Sequence, residues 1–484
     1  MSIESDKVRS DIVKNVFKSY DVRGRYGTEI TESLANQIGR AYVEVLGAKK
    51  VLVGHDMRVH SPTLEAALVE GIIAAGADVI RIGQCSTPMT YFGVSTLDVD
   101  AAIMVTASHN PGHDNGFKFS KRGGVPVGDG TGLEKVRELV LAGKAADTTR
   151  TPGKATQMDL LPEWCKFLKR FVTEIRPMTI VMDFGNGVMG PIIRALLREI
   201  DPTGKIKAVW LFEQPDGSFP WHPADPLKLL NMQHLQGAVL ATKSEFGVAF
   251  DGDGDRLAFV DENAKFIGCD LMTAVFAKEL LSRPGNTAKN VMFDLRCSAV
   301  VASEVQKAGG VPELCRVGHS HIKAAMRGQR EGRVKDPKVT GDVVFAGEIS
   351  GHFFFRDCFF FDSSERAFLL ALQIMTHETR SLGQIIDPLR RFWQSGEINY
   401  KLQSVGQKDE ILRQIESKFA QYEMFKLAGV SVKSPNWQMN VRFSNTEPVV
   451  RVVAESFVSQ ADLDQLLASI EEIINGLGGA RYLR

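Results

Sequence analysis

One local pattern occurs three times in the chain and limits the folds that the chain can adopt. Residues 50–56, 179–183 and 290–294 each have the composition of a short buried strand that ends in an aspartate. A loop and then a helical pattern follow each of them. Strands that alternate with helices are typical of a parallel α/β sheet. Because the repeats lie more than 100 residues apart, they predict three related α/β domains rather than a short-period solenoid.

The last hundred residues follow a different pattern. Residues 440–443 and 449–454 predict short strands, and Ser459 can cap a helix with apolar residues at helical spacing. A chain of 484 residues is long enough for three or four domains. We therefore expect three α/β domains and a smaller α+β C-terminal domain. The expected boundaries are 1–156, 157–265, 266–379 and 380–484.

Composition excludes several classes of function. The chain has 58 basic and 58 acidic side chains, so no overall charge attracts nucleic acid or an acidic membrane. Its longest apolar runs fall short of the ~20 residues that cross a bilayer. The first residues lack the basic and apolar segments of a secretion signal, and the six cysteines form no CxxC pair. We expect a cytoplasmic protein with reduced thiols.

A strand followed by polar residues marks the first candidate site. Residues 101–105 are apolar, and Thr106, Ser108, His109 and Asn110 follow them before a Pro-Gly pair. In open α/β sheets, ligands bind where strands end. Ser108 is therefore a candidate nucleophile or phosphate carrier, although a polar turn without chemistry has the same local sequence.

A second candidate site consists of three carboxylates separated by single glycines. Asp251, Asp253 and Asp255 are spaced so that a turning backbone can direct all of their oxygens at one point. Oxygen ligands in a tight loop suit Mg²⁺ or Ca²⁺. An EF-hand is rejected because Arg256 stands where that loop requires glycine, and because the flanking residues predict strands.

Two further loops carry polar groups that suit a sugar phosphate. Residues 347–352 contain Glu348 and Ser350, which could bind vicinal hydroxyls, and two phenylalanine-rich strands of a hairpin are expected at 353–355 and 359–361. Residues 442–448, with Arg451 beyond them, could bind a phosphate through paired guanidinium donors and loop amides. A histidine-bearing turn is expected at 318–321. Each of these loops is common in isolation.

Together, the four loops resemble the signature loops of the α-D-phosphohexomutases. The matching segments are Thr106-Ala-Ser-His-Asn-Pro111, Asp251-Gly-Asp-Gly-Asp-Arg256, Gly347-Glu-Ile-Ser-Gly-His352 and Arg442-Phe-Ser-Asn-Thr-Glu-Pro448. They occur in the family's order and at its spacing, so the resemblance spans almost the whole chain. Further matches are Tyr20-Asp-Val-Arg-Gly24, Asn115-Gly-Phe-Lys118, Pro215-Asp-Gly217 and Gly318-His-Ser320. The third loop is most similar to that of phosphomannomutase/phosphoglucomutase enzymes.

This resemblance implies a four-domain, heart-shaped α/β fold around a central cleft, with one signature loop from each domain. It also implies the interconversion of hexose 1-phosphate and hexose 6-phosphate, with mannose, glucose or both as the hexose. The reaction would pass through phosphorylated Ser108 and a hexose 1,6-bisphosphate, with Mg²⁺ as cofactor. The expected partners are small sugar phosphates, with neither nucleic acid nor membrane, and the protein could be a monomer or a dimer.

The resemblance also assigns roles to individual residues. The catalytic group would be Ser108, Lys118 as general acid and base, Arg23, His109, His319 and His352. The metal ligands would be Ser108, Asp251, Asp253 and Asp255. Substrate would be bound by Arg256, Glu348, Ser350, Arg442, Ser444, Asn445, Thr446 and Arg451.

Two other functions are left open by the sequence. A phosphatase would use the same metal and phosphoserine but would admit water. A noncatalytic protein that binds Mg²⁺ or sugar would not need Ser108 and Lys118, and both are present.

Overall fold

The computed structural model describes residues 3–143, 150–328, 342–443 and 448–482. The chain forms two compact units, one of Met1–Ile267 with Ser350–Gly383 and one of Gly268–Ile349 with Gln384–Arg484. Within the described residues, no helix is both long enough and apolar enough to span a membrane.

The N-terminal region is built around a seven-stranded sheet in the order β1-β5-β4-β2-β3-β7, with β6 paired to β5. Its strands are β1 (Asp21–Arg25), β2 (Lys50–His55), β3 (Asp78–Gln84), β4 (Ala101–Val105), β5 (Asp114–Lys121), β6 (Val125–Pro126) and β7 (Ala155–Gln157). Its helices are α1 (Ile3–Val16), α2 (Glu32–Leu46), α3 (Ser61–Ala74), α4 (Thr87–Thr96) and α5 (Leu133–Leu141). The aliphatic faces of α2 and α3 cover the sheet and form its core.

The expectation of a parallel sheet is only partly correct for this region. Strands β2, β3, β4 and β7 are parallel, but β5 runs antiparallel to both β4 and β1. The reason is local, because the loop that contains Ser108 and Pro111 returns the chain directly alongside β4 without a crossover helix. This reversal brings β5 next to the strand that leads to Ser108.

The second region has a five-stranded mixed sheet in the order β12-β11-β10-β8-β9. Its strands are β8 (Met178–Asp183), β9 (Ile206–Leu211), β10 (Phe246–Phe250), β11 (Leu257–Asp261) and β12 (Phe266–Ile267), and its helices are α6 (Leu161–Lys169), α7 (Met189–Ile200) and α8 (Gln233–Thr242). Strands β10 and β11 are antiparallel neighbours, and residues 251–256 connect them as a tight loop.

The third region repeats the pattern of strand and helix. It begins with α9 (Cys269–Ser282), β13 (Asn290–Asp294), α10 (Ala299–Lys307), β14 (Val311–Cys315), α11 (His319–Met326) and β15 (Val343–Gly347), with β13 parallel to both β14 and β15. The hairpin of β16 (Phe353–Phe355) and β17 (Phe361–Asp362) and the helix α12 (Ser364–His377) follow.

Two expectations for this region are wrong. The second hairpin strand does not start at Phe359, because Phe359 and Phe360 adopt left-handed backbone angles, with φ of 51° and 64°. The histidine-bearing segment is the start of α11 rather than a free turn, since His319 is its first residue. A glycine with φ of 122° at position 318 allows the chain to turn sharply into that helix.

The C-terminal region is an antiparallel six-stranded sheet in the order β19-β20-β21-β22-β18-β23. Its strands are β18 (Trp393–Lys401), β19 (Glu423–Phe425), β20 (Val430–Lys433), β21 (Trp437–Phe443), β22 (Val449–Ser456) and β23 (Ala480–Tyr482), and its helices are α13 (Leu382–Ile386), α14 (Lys408–Lys418) and α15 (Gln460–Gly476). The apolar faces of α14 and α15 pack on one face of the sheet. Ser459 caps α15 as expected, with its side chain accepting from the backbone N–H of Asp462.

All six cysteines lie in the described part of the chain, and all are buried thiols outside any disulfide bond. Cys85, Cys165 and Cys358 belong to the first unit. Cys269, Cys297 and Cys315 belong to the second.

Candidate active site

Ser108 lies in the loop after β4, and its side chain is fully buried. The Ser108 Oγ is 2.8 Å from Asp251 Oδ2 and 3.1 Å from His109 Nδ1. The backbone of Ser108 is left-handed, with φ of 51°, and the Thr106 hydroxyl accepts a 2.8 Å hydrogen bond from the Ser108 N–H. A nonglycine residue with this φ is uncommon and needs support from its surroundings. The structure thus places the candidate nucleophile directly against the first of the three aspartates.

The three aspartates form one buried cluster. Their ligand oxygens lie within 4.8 Å of one another, and each side chain is almost completely buried. Within the described residues, Asp253 Oδ1 has no hydrogen-bond partner. An unsatisfied buried carboxylate oxygen beside two other carboxylates suits a hard divalent cation, so the residues fit Mg²⁺.

The three carboxylates differ in their electrostatics. Burial, together with the negative charges of Asp255 and Asp253, raises the pKa of Asp251 well above its ordinary value. Burial acts in the same direction on Asp253, but Lys118 and the Thr87 hydroxyl outweigh it and lower the Asp253 pKa. Because the pKa is raised at Asp251 but lowered at Asp253 and Asp255, a bound cation would stabilise the charged form of Asp251 most.

Lys118 lies on β5 beside these carboxylates. Its Nζ donates to Asp253 Oδ2 at 2.7 Å and to Asp255 Oδ2 at 2.5 Å. Although burial alone would lower the Lys118 pKa, the two aspartates raise it above the ordinary value. Lys118 is therefore a buried, protonated side chain that can act as an acid.

Arg23 approaches the same loop from β1. Its Nε pairs with Asp21 at 2.7 Å, and its Nη1 donates to Asn110 Oδ1 at 3.2 Å. His109 also lies here, and burial followed by the positive charges of Arg256 and Arg23 lowers its pKa well below 6.5. His109 is accordingly neutral beside the Ser108 hydroxyl.

Arg256 and His352 complete this first cluster. Arg256 Nε lies 3.2 Å from His352 Nε2, and the backbone N–H of Arg256 donates to Asp251 at 3.1 Å. His352 Nε2 is also 3.4 Å from Asp255 Oδ1, while its Nδ1 is 2.9 Å from Ser350 Oγ. Ser350 thus contacts His352 in the first unit.

A second cluster of predicted residues lies in the second unit. Glu348 is buried after β15 and accepts a 2.8 Å hydrogen bond from the Gly318 N–H. Arg296 Nη2 lies 3.7 Å from Glu348 Oε1 and 2.6 Å from Asp294 Oδ2. His319 is buried at the start of α11, with its Nδ1 3.4 Å from the Nζ of Lys323.

Two arginines of the C-terminal sheet also lie in the second cluster. Arg442 on β21 and Arg451 on β22 are directly opposite in the antiparallel register, and both approach Glu397. Burial, and next the charge of Arg296, lowers the pKa of Arg442 to about 10. An anion at this place would offset the repulsion between arginines. The predicted residues Ser444, Asn445 and Thr446 lie outside the described residues.

Three side chains that contact these clusters were not predicted from the sequence. Arg58 is fully buried and binds carbonyl groups of the Ser108 loop. Thr87, at the start of α4, donates to Asp253 Oδ2 at 2.6 Å. Arg296 follows the third repeated strand. Arg58 and Arg296 could have been found from an Asp-x-Arg sequence that follows two of the repeated strands, at residues 56–58 and 294–296. No local sequence pattern distinguishes Thr87.

Comparison with known proteins places these clusters in a family. Models of the phosphoglucomutase/phosphomannomutase α/β/α domains I, II and III match residues 14–146, 162–265 and 269–392, and the C-terminal domain model matches residues 397–473. A phosphomannomutase of Escherichia coli is 34% identical over 447 residues, which cover 91% of this chain and 94% of that protein.

Solved structures show the same relationship. A phosphoglucomutase/phosphomannomutase family protein from Burkholderia thailandensis has a TM-score of 0.85 at 30% identity and covers 97% of this chain and 99% of its own. An N-acetylphosphoglucosamine mutase from Aspergillus fumigatus, in complex with glucose 1,6-bisphosphate, shares the fold, with a TM-score of 0.60 at 14% identity over 99% of this chain and 100% of its own. With four domain models matched in order, and three α/β domains followed by a smaller C-terminal sheet domain, the chain belongs to the phosphoglucomutase/phosphomannomutase family of hexose-phosphate mutases.

Proposed function

We propose that the enzyme interconverts the 1-phosphate and 6-phosphate of a hexose, mannose or glucose or both, through phosphorylated Ser108 and a 1,6-bisphosphate. The observation that carries this proposal is the contact of 2.8 Å between Ser108 Oγ and Asp251, within a buried cluster of three carboxylates and a lysine. The four domains are proposed to follow the boundaries 1–156, 157–265, 266–379 and 380–484.

Burial explains why a serine could carry a phosphoryl group without losing it to water. Ser108 is inaccessible to solvent, and its hydroxyl donates to Asp251 Oδ2 and lies 3.1 Å from His109 Nδ1. In the forward step, the bond between phosphorus and Ser108 Oγ breaks, and a bond forms to a sugar hydroxyl oxygen. The bisphosphate then turns over and returns its other phosphoryl group to Ser108, so the enzyme is restored.

Asp251, Asp253 and Asp255 would hold Mg²⁺, with Ser108 as the fourth ligand. The ion would neutralise negative charge on the transferring phosphoryl group. A related structure, the Aspergillus mutase, holds glucose 1,6-bisphosphate, which supports the same intermediate for this chain.

Proton transfer is assigned to Lys118. Because it is protonated and buried, it can donate to Ser108 Oγ as the phosphoryl group leaves, while the proton of the attacking sugar hydroxyl replaces the one that Lys118 has given up; both proton transfers are reversed in the return step. Arg23, His109, His319 and His352 are proposed to assist by binding the reacting groups. Arg256 is proposed to contact the substrate phosphate.

The remaining residues would bind the part of the substrate that does not react. Glu348 and Ser350 are proposed to contact sugar hydroxyls. Arg442 and Arg451, with Ser444, Asn445 and Thr446, are proposed to bind the distal phosphate. The crowding of Arg442 by Arg296, with only partial compensation from Glu397, supports this assignment because an anion would relieve it.

The decisive experiment measures phosphate on Ser108 and its fate. The purified protein is treated with glucose 1,6-bisphosphate and Mg²⁺, and intact-mass analysis follows a phosphate adduct in the wild type and in Ser108→Ala. Coupled assays then measure conversion of mannose and glucose 1-phosphates. We expect an adduct only in the wild type, and loss of turnover by several orders of magnitude in the variant.

A phosphatase would give a different result. Its phosphate adduct would decay to inorganic phosphate at the rate of turnover, and no hexose 6-phosphate would accumulate. Normal turnover by Ser108→Ala would contradict the assignment of the nucleophile.

A further inference from the structure

We propose that Arg58 is a positioning residue that holds the backbone of the Ser108 loop in the shape needed for phosphoryl transfer, beneath a cover formed by residues 217–219. This role rests on the proposed function of Ser108 as phosphoryl carrier. The proposal gives a role to the Asp-x-Arg sequence after the first repeated strand. It also gives a role to residues 217–219 of the second region, which in the described contacts touch neither the three aspartates nor Arg442 and Arg451.

Arg58 uses all five of its N–H donors. Its Nη2 donates to the carbonyl oxygens of Ser108 at 2.8 Å and Asn110 at 2.6 Å. Its Nη1 donates to the carbonyl oxygens of Pro111 at 2.6 Å and Asp114 at 2.8 Å. The Nε donates to Asp56 Oδ2 at 3.1 Å. One rigid guanidinium therefore spans the loop from the nucleophile to the start of β5.

The loop needs such support because its backbone is strained at Ser108. A left-handed serine persists only where neighbouring groups determine its conformation. Ser108 is fixed on its amide side by Thr106, and on its carbonyl side by Arg58. Loss of the second contact would let the peptide after Ser108 rotate and move Oγ away from Asp251.

Residues 217–219 of the second region close over the guanidinium. The Phe219 ring lies 5.4 Å from the Arg58 guanidinium carbon. At Gly217, an added Cβ would come within 2.6 Å of both Arg58 Cα and Val59 N. At Gly112 of the Ser108 loop, an added Cβ would lie 3.0 Å from the Gly217 carbonyl oxygen, so this contact is also tight. Glycine at 217 is needed for this close approach.

The test replaces Arg58 by lysine, which keeps the charge but has three donors at one point rather than five in a plane. Single-turnover phosphorylation of Ser108 by glucose 1,6-bisphosphate is followed by intact mass, and steady-state kcat and KM are measured with glucose 1-phosphate. Because displacement of a reacting group by about 1 Å can cost 10²-fold, we expect both the phosphorylation rate and kcat to fall about 100-fold. KM should change less than about 3-fold.

The matched control is Ile38→Ala, a truncation in the core of the same region on α2. It should lower the melting temperature while leaving kcat within about 3-fold of the wild type, because Ile38 contacts none of the loop carbonyls that Arg58 binds. Equal losses of kcat in the two variants at equal melting temperature would overturn the proposal. So would Arg58→Lys with wild-type kcat.

If Arg58→Lys does not fold, Phe219→Leu decides the question. It removes the ring above the guanidinium but leaves all five hydrogen-bond acceptors in place, and we expect kcat to fall about 3- to 10-fold with KM unchanged. An unchanged kcat would overturn the proposal. Failure of the proposed function is a separate result, since then the wild-type protein itself would gain no phosphate on Ser108.

Discussion

At the scale of single residues, the two carboxylate oxygens of Asp253 have different surroundings. One of its oxygens accepts from Thr87 and Lys118, while the other has no hydrogen-bond partner within the described residues. Hydrogen bonds from neighbours that orient a metal ligand are commonly worth 10- to 100-fold in metal affinity. The hydrogen bonds to Asp253 Oδ2 therefore fix the direction in which Asp253 Oδ1 points.

We expect Asp253→Asn to raise the Mg²⁺ concentration for half-maximal activity by about 100-fold or more, because an amide is a weaker ligand and leaves Lys118 with less compensation. Activity measured against Mg²⁺ concentration tests this. Asp98→Asn is the control, since the Asp98 side chain is 90% exposed and pairs only with Arg122 in the described contacts. An unchanged midpoint in Asp253→Asn would contradict the ligand assignment.

We expect Arg442→Gln to raise KM for the hexose 1-phosphate and the hexose 6-phosphate alike, with a smaller effect on kcat. Loss of a charged hydrogen bond at a buried site costs about 2–4 kcal/mol, or roughly 30- to 800-fold in affinity. Steady-state assays in both directions measure the effect. Arg413→Gln is the control, because that side chain is 75% exposed on α14. If only one substrate were affected, a distal phosphate site used in both orientations would be excluded.

The positions of Ser108 and the aspartates were predictable because a few residues in sequence determine them. Glycines between the aspartates permit a tight turn, and an apolar strand followed by Pro-Gly fixes a loop. The roles of Thr87 and Arg58 were not predictable, since each acts on residues about 50 to 170 positions away. Such contacts depend on how β4, α4 and the loop of residues 251–256 pack together.

At the scale of elements, the repeated aspartates have a structural explanation. Asp56, Asp183 and Asp294 each accept from the backbone N–H of the residue two positions later, at 3.0, 2.9 and 2.7 Å. A side chain that bonds in this way forms an Asx turn, which ends the strand and directs the loop. The sequence pattern that predicted three α/β domains therefore reflects an Asx turn that occurs at the end of each of these three strands. The sites use the loops that follow.

Asp183 at the end of β8 also binds His222, with 3.2 Å between Oδ2 and Nε2. Burial opposes protonation of His222, but the hydrogen bond and charge of Asp183 raise its pKa above 6.5. A raised pKa in the folded state stabilises the protein below the ordinary pKa, and this contribution disappears as pH rises through the folded-state value.

We therefore expect His222→Gln to lower the free energy of unfolding more at pH 6 than at pH 9. Urea unfolding at the two pH values measures the difference. His377→Gln, at a side chain that is 53% exposed, should show no comparable difference. A loss that is equal at pH 6 and pH 9 would contradict a charged His222 in the folded protein.

At the scale of the whole molecule, repeated patterns predicted the number and class of the regions, and the division into two units was not predictable. Strand and helix periodicity is local, so it shows where the sheets are. The return of residues 350–383 to the first unit depends on the buried helix α12. Its Glu365 accepts hydrogen bonds from Ser86 and Trp164, which lie 279 and 201 residues away in sequence.

The cysteines are distributed so that each unit contains three buried thiols. Burial raises the pKa of Cys85, Cys165, Cys297, Cys315 and Cys358, to about 12 for Cys165, and all six thiols are buried, so a thiol-specific reagent should modify the native protein very slowly. Any label must record an opening of the surrounding structure.

With three thiols in each unit, peptide mass spectrometry of a urea series should show Cys85, Cys165 and Cys358 becoming reactive at one concentration and the other three at another. Simultaneous labelling of all six would mean that the two units unfold as one. In either case, the natural thiols report how independently the halves of this enzyme open, without an engineered probe.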